Sequence, residues 1–186
     1  MRGKYLGDSY DLVKRFWSTS LGAIAPLYAH PKFVPPQPTQ LRREYTAVTS
    51  IPILDTDKLP EEEYSLLFDP DTGIPLPDEL VDKATPSHAP LPWIIRESEQ
   101  LRPAFMICFD QSYHRRHHLG REGQREAKRD FLRKQGIASF YYISHAPFLF
   151  IAMNSTTLDK VRNHLITVGI PVVTIATPAI VRLQTI

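Results

Sequence analysis

The sequence predicts a single α/β domain built as a three-layer sandwich, in which helices cover both faces of a mixed, mostly parallel sheet. The chain of 186 residues, with 42% hydrophobic and 23% charged residues, has the composition of a globular protein and the length to bury one continuous core. The pattern helix, glycine, strand occurs twice, at Gly136 and Gly169, and this is how a helix returns to the sheet in α/β units. The apolar run at 104–109 is typical of a strand covered on both faces.

The first predicted element is a helix over 9–17. Asp8 precedes it and can cap its amino end, and Gly22 is suited to end it. The helical spacing predicts a buried stripe formed by Leu12, Val13, Phe16 and Trp17.

Fourteen of the seventeen prolines lie in the region 26–103, where regular elements must be short. We therefore expect a loop-dominated, proline-rich region within one domain that spans 1–186. Inside it, 64–68 is predicted to be a strand that ends in a turn, and 77–84 a short helix.

The carboxyl-terminal part of the chain carries clearer patterns. After the strand at 104–109, a helix over 122–135 has only a narrow apolar face, so most of it is expected to face water. The remaining predicted elements are strands at 137–143 and 148–153 and a helix over 156–168. Because both helices follow one strand and precede another, the central strands are expected to be parallel.

Several protein classes are excluded by composition. No apolar run is long enough for a membrane helix, and the amino terminus has no apolar core of a secretory signal, so we expect a soluble, cytoplasmic protein without membrane contact. Cys108 is the single cysteine, which excludes an intrachain disulfide, and its apolar surroundings indicate a buried thiol.

The net charge of +2 conceals an uneven distribution. Residues 55–82 hold ten acids and one base, whereas residues 113–135 hold eight bases and three acids. The chain therefore carries one acidic and one basic block.

Acidic and histidine side chains follow three of the predicted strands. Asp69 and Asp71 follow the first of these strands, Asp110 the second and His145 the third. Ligands of open parallel sheets bind outside the carboxyl ends of the strands, so these side chains are candidate catalytic residues. Carboxylates held close together repel unless a cation lies between them, and oxygen ligands suit Mg²⁺ or Mn²⁺, so we predict that the three aspartates bind a metal. Each residue also has a structural interpretation as part of a turn, a cap or a hairpin corner.

The basic block supplies candidate substrate-binding residues. They are Arg115, Arg116, Arg121, Arg125 and Arg129, which would hold the phosphates of a substrate. Together with a carboxylate metal site, they favour a divalent-metal-dependent phosphoester hydrolase or nuclease in which His145 assists proton transfer. No nucleotide-cofactor signature is present, since the chain contains neither a P-loop nor a dinucleotide fingerprint.

Two other uses of the charge pattern remain open. A non-enzymatic adaptor would bind nucleic acid or an acidic protein through the basic helix 121–135, although acids interleaved among the bases are equally typical of a solvated helix face. Acidic and basic surfaces of different copies could instead meet, so the pattern leaves the oligomeric state open.

The strand, helix, strand arrangement at the end of the chain, together with Asp69-Pro70, resembles the class I methyltransferases. The resemblance implies a Rossmann-like fold. With eight glycines and no Gly-x-Gly, the chain lacks the loop with which such folds approach a cofactor, so the resemblance implies a degenerate, non-catalytic relative without cofactor.

Overall fold

The computed structural model describes residues 6–34, 39–77, 82–171 and 175–176. Within these ranges the helices are α1 Ser9–Leu21, α2 Thr39–Thr49, α3 Leu91–Leu101, α4 Arg121–Lys134 and α5 Ser155–Thr167. The strands are β1 Leu27–Ala29, β2 Ser65–Phe68, β3 Met106–Phe109, β4 Ala138–Tyr142, β5 Phe148–Ala152 and β6 Ile175–Ala176. The mixed α/β class predicted from the sequence is confirmed.

The strands form one sheet in the order β1-β2-β3-β5-β4-β6. Strands β1, β2 and β3 are parallel neighbours, with Leu66 opposite Met106 in the β2–β3 pair. Strand β5 is antiparallel to both β3 and β4 and lies between them, so β4 runs in the same direction as β3. The carboxyl ends of β1 through β4 therefore meet at one edge of the sheet.

Helices cover both faces of this sheet. One hydrophobic cluster joins Trp17 of α1 and Val161 of α5 to the sheet, and a second joins Ile94 of α3 and Leu132 of α4 to the opposite face. Strand side chains alternate between the two clusters because successive residues of a strand point to opposite faces. In the described ranges, no helix combines the length and the apolarity needed to cross a bilayer.

Helix α1 begins and ends as predicted, but a different face of it is buried. The Asp8 side chain accepts hydrogen bonds from the Tyr10 and Asp11 amides, and Gly22 is the C-cap. Leu12 is 61% exposed and Phe16 is 36% exposed, contrary to the expected stripe. The helix instead buries Asp11, Lys14, Trp17 and Leu21, so its inner face carries an ion pair.

The proline-rich region contains more regular structure than the sequence pattern predicted. It includes β1, β2 and two helices of 11 residues, α2 and α3. Pro92 lies in the first turn of α3, where a missing amide N–H costs nothing. The short helix predicted over 77–84 falls largely outside the described residues.

Helix α4 buries a broader and more polar face than the sequence pattern predicted. The helix buries Gln124, Arg125, Lys128, Arg129 and Leu132, a face on which four of five side chains are polar. A face of this kind has no apolar periodicity, so the sequence pattern cannot identify it as buried.

Candidate functional site

Adjoining clefts open at the edge where the carboxyl ends of β2, β3 and β4 meet. The acidic cleft, about 310 Å³, is lined by Asp8, Tyr10, Asp11, Lys14, Asp69, Pro70, Asp71, Phe109 and Gln111. The anion cleft, about 260 Å³, is lined by Tyr10, Asp110, Gln111, Ser112, Arg121, Arg125, Ser144, His145 and Pro147. Tyr10 and Gln111 line both clefts, so the two clefts are neighbours.

A buried lysine forms the floor of the acidic cleft. The Lys14 Nζ lies 2.7 Å from Asp69 Oδ2 and 2.9 Å from Asp11 Oδ1. Burial opposes the charge of Lys14, but Asp69 and Asp11 outweigh it and raise the lysine pKa above its usual value. Lys14 is therefore an ammonium that holds the Asp69 carboxylate at the carboxyl end of β2.

Asp110, directly after β3, is held by five donors. Its Oδ1 accepts from the Ile74 amide at 2.9 Å, the Ser112 amide at 3.3 Å and the Ser112 hydroxyl at 2.5 Å. Its Oδ2 accepts from Lys128 Nζ at 2.8 Å and from the Tyr141 hydroxyl at 2.6 Å. Burial, together with the Asp110 charge, raises the Tyr141 pKa well above its usual value, so this hydroxyl stays a donor. Asp110 therefore joins β3, β4 and α4 at the base of the anion cleft.

The amino end of α4 faces the anion cleft. The N-cap is Gly120, and no described side chain caps the helix there, so the positive end of the helix dipole is left for another acceptor. Arg121 is the first residue of the helix and Arg125 lies one turn later, which brings both into the cleft. His145, from the turn between β4 and β5, lines the same cleft and is exposed.

Aromatic rings and one carboxylate orient these cationic side chains. The Arg121 guanidinium lies over the Tyr113 ring at 5.1 Å, and the Arg125 guanidinium lies 5.6 Å from the centroid of the Tyr141 ring. Arg125 Nη1 also contacts Glu122 at 2.6 Å, but this glutamate side chain is 71% exposed and neutralises the arginine only in part. The cleft is thus cationic at the point where the helix dipole is positive.

The structure brings together six of the nine candidate residues predicted from the sequence. Asp69 and Asp71 line the acidic cleft, and Asp110, Arg121, Arg125 and His145 line the anion cleft. Arg115 and Arg116 are exposed in the loop that precedes α4 and line neither cleft. Arg129 lines a separate cavity, with residues of β4 and α5.

The three predicted metal ligands lie in different surroundings. Both oxygens of Asp110 are occupied by donors, and the Lys14 ammonium lies where a cation would be expected beside Asp69. Among the described residues, no group of three or more histidine, cysteine or acidic side chains is arranged to hold a metal ion. Asp69 is thus paired with Lys14 and Asp110 with Lys128, whereas Asp71 lines the acidic cleft, and metal binding stays a prediction.

The sequence pattern missed the residues that organise the site. Lys14 and Lys128 both lie on buried helix faces, where a lysine is rare unless it is paired. For Lys14 the sequence did contain an indication, because Asp11 precedes it by three residues, which is the spacing of an ion pair on a helix. Tyr141 and Lys128 gave no such signal, because their partner Asp110 is 31 and 18 residues away.

Comparisons with known proteins do not identify a relative of this chain. No family model, no curated protein and no solved structure matches it. Function is therefore inferred from the geometry of the clefts alone.

Proposed function

We propose that this protein is a phosphoester hydrolase that binds the phosphate of its substrate in the anion cleft. The observation that supports this is that two arginines and a histidine line one cleft beside the first turn of α4, where the described residues provide no side-chain cap. Anions bind readily at such ends, because the amide N–H groups point outward and the dipole is positive.

Phosphate fits the donors better than a neutral ligand would. Arginine offers a planar fork that matches the oxygens of phosphate, and Arg121 and Arg125 present two such groups from one helix face. Asp110, which lines this cleft, would repel a phosphate if it were unpaired, but Lys128 lies 2.8 Å from it and compensates its charge. The net charge of the anion cleft is therefore positive.

His145 is the candidate for proton transfer. Imidazole is the side chain best suited to move protons near neutral pH, and His145 is exposed on the cleft with its ring 5.7 Å from the Tyr10 ring. In hydrolysis it would take a proton from the attacking water, whose oxygen forms the new bond to phosphorus while the bond to the alcohol oxygen breaks. The departing alcohol oxygen would take its proton from solvent water. Arg121 and Arg125 would offset the charge that develops on the phosphoryl oxygens.

Participation of Mg²⁺ or Mn²⁺ stays a prediction, restricted to the acidic cleft. Asp69 and Asp71 line that cleft, whereas Asp110 has no oxygen left for a metal. Titration of Mn²⁺ into the wild-type protein and into Asp71→Asn tests this directly. Binding that the substitution removes would support a metal in the acidic cleft, and absence of heat in both proteins would contradict it.

Pyrophosphate binding and hydrolysis of p-nitrophenyl phosphate test the proposed function. Arg121→Gln should weaken pyrophosphate binding about tenfold, as expected for the loss of a charge-assisted contact. The matched control is Arg15→Gln, which removes an exposed arginine from α1 and should change nothing. His145→Asn should leave pyrophosphate binding intact and reduce the turnover of p-nitrophenyl phosphate. Equal pyrophosphate affinity in wild type and Arg121→Gln would contradict the anion cleft, and binding without any turnover would contradict hydrolysis.

A non-enzymatic nucleic-acid adaptor is a second candidate, favoured by one observation. Arg115, Arg116 and His118 are exposed in the loop that leads to α4, beside the anion cleft. The helix itself is less suited to this role, since Arg125 and Arg129 are paired with glutamates of the same helix. Replacing Arg115 and Arg116 by Gln should weaken binding of single-stranded RNA and lower its salt dependence if this candidate is right.

We also propose that the architecture is a Rossmann-like three-layer sandwich. Helix packing on both faces and the parallel β1-β2-β3 half of the sheet support this.

A further inference from the structure

A second cavity lies at the opposite edge of the sheet and shares no lining residue with the acidic and anion clefts. It is formed where β4 and α5 begin and where α4 ends, and its volume is about 310 Å³. Its charged lining residues are the arginines Arg129, Arg133 and Arg162 and one acid, Asp159, so the bases outnumber the acid; Ile137, Phe140 and Leu158 are among its apolar lining residues. We call this the arginine cavity.

Two of its guanidinium groups have unused donors. Arg162 Nε is buried and has no hydrogen-bond partner within the described ranges, and no ion pair of this side chain occurs there either. Arg129 is 5% exposed, and its Nε also lacks a partner among the described residues although its Nη1 contacts Glu126 at 2.8 Å. A buried donor without a partner is unfavourable, so these groups are suited to an anion that enters the cavity.

Apolar side chains form much of the remaining wall, beside Ser139, Ser155 and Asp159. Ile137, Phe140 and Leu158 are each buried and lie beside the arginines. A small inorganic anion would leave these walls in contact with water, whereas an anion with an apolar body would cover them.

We propose that the arginine cavity binds a small carboxylate that carries a short aliphatic or aromatic body. The carboxylate pairs with Arg162 and with the unused Nε of Arg129, and the apolar body packs on Ile137, Phe140 and Leu158. Arginine suits this role because its fork binds both oxygens of a carboxylate. This site is independent of the proposed hydrolase function.

Calorimetric titration of octanoate tests the proposal, with octanol and inorganic phosphate as the comparison ligands. Octanoate should bind the wild-type protein and the exposed-arginine control Arg15→Gln with equal affinity, and Arg162→Gln at least about tenfold more weakly. Because Arg162 makes no described ion pair, Arg162→Gln should melt no lower than the wild-type protein without ligand. Arg121→Gln should leave octanoate affinity unchanged, which keeps this test separate from that of the anion cleft.

The proposal is overturned if octanoate fails to bind the wild-type protein, binds Arg162→Gln equally well, or binds no better than octanol. If the wild-type protein binds phosphate but not octanoate, and Arg162→Gln no longer binds phosphate, the ligand is not a carboxylate and the proposal is wrong. A marked loss of thermal stability in Arg162→Gln would show that Arg162 has a structural partner, and this too would overturn the inference.

Discussion

Replacing Lys128 by methionine is expected to destabilise the protein by about 3–5 kcal/mol, because it leaves the Asp110 carboxylate buried without a counter-charge. Both side chains of this pair are 1% exposed, so water cannot replace the lysine. The hydroxyl of Tyr141 and the Ile74 amide would still donate to Asp110, but neither carries charge. For a chain of this length, the loss corresponds to a decrease in melting temperature of about 10 °C.

A double-mutant cycle separates the ion pair from the packing of the side chains. Asp110→Asn alone leaves the Lys128 ammonium with the Ser112 hydroxyl as its described partner and should cost about as much as Lys128→Met. The double variant has no buried charge, so its loss should be smaller than the sum of the two by at least about 2 kcal/mol. Urea unfolding followed by circular dichroism measures the free energy of unfolding of both single variants and of the double variant.

Arg133→Met is the matched control on the same helix. Its ion pairs with Glu126 and Asp130 are at the surface, where the arginine side chain is 58% exposed, so the loss should stay below about 1 kcal/mol. Two results would refute the role assigned to the buried pair. One is a loss of stability in Lys128→Met that is no larger than the loss in Arg133→Met. The other is a loss in the double variant that equals the sum of the losses in the two single variants.

Three further predictions concern backbone, pH and thiol chemistry. Gly73 has a φ of 133°, and a Cβ there would lie 2.5 Å from Asp110 Oδ1, so Gly73→Ala should lower the free energy of unfolding by about 2–4 kcal/mol in urea. Burial, which outweighs the opposing effect of Glu97, lowers the His30 pKa below 6.5. The unfolded chain then binds more protons than the native state just below pH 6.5, so stability should fall as the pH is lowered through this value, and less so in His30→Gln. Burial raises the Cys108 pKa well above its usual value, so the native thiol should not react with dithiobisnitrobenzoate until the protein unfolds.

Each of these has an outcome that would contradict it. At Gly120 a Cβ would meet no atom within 4 Å, so Gly120→Ala is the control, and an equal loss in both variants would show that contact with Asp110 is not the cause. Identical pH dependence in wild type and His30→Gln would remove His30 as the titrating group. Rapid reaction of Cys108 in the native protein would show that its surroundings open locally.

Local patterns in the sequence were sufficient for the elements that have strong periodicity or clear boundaries. The predicted strands at 64–68, 104–109, 137–143 and 148–153 correspond to β2 through β5 within two residues at either end. They are continuous apolar runs bounded by polar or turn residues, and such runs define their own limits. Strand β1, with three residues, is too short to give a pattern.

The placement of these polar side chains at one edge of the sheet was also predictable, because it depends on strand direction alone. Polar residues that follow parallel strands must lie at one edge of the sheet, and Asp69, Asp110 and His145 do so. This holds although β5 separates β3 from β4 in the sheet, since β4 still runs in the direction of β3.

What the sequence by itself determined is therefore the mixed α/β class, most of the strands and the edge at which the clefts open. The tertiary structure alone decided what the charged residues do there. Lys14 reaches Asp69 across 55 residues of sequence, and Lys128 reaches Asp110 from a helix face that was expected to be in water. The energy of a buried charge depends on which partner lies within about 3 Å of it, and no periodicity along the chain encodes that distance.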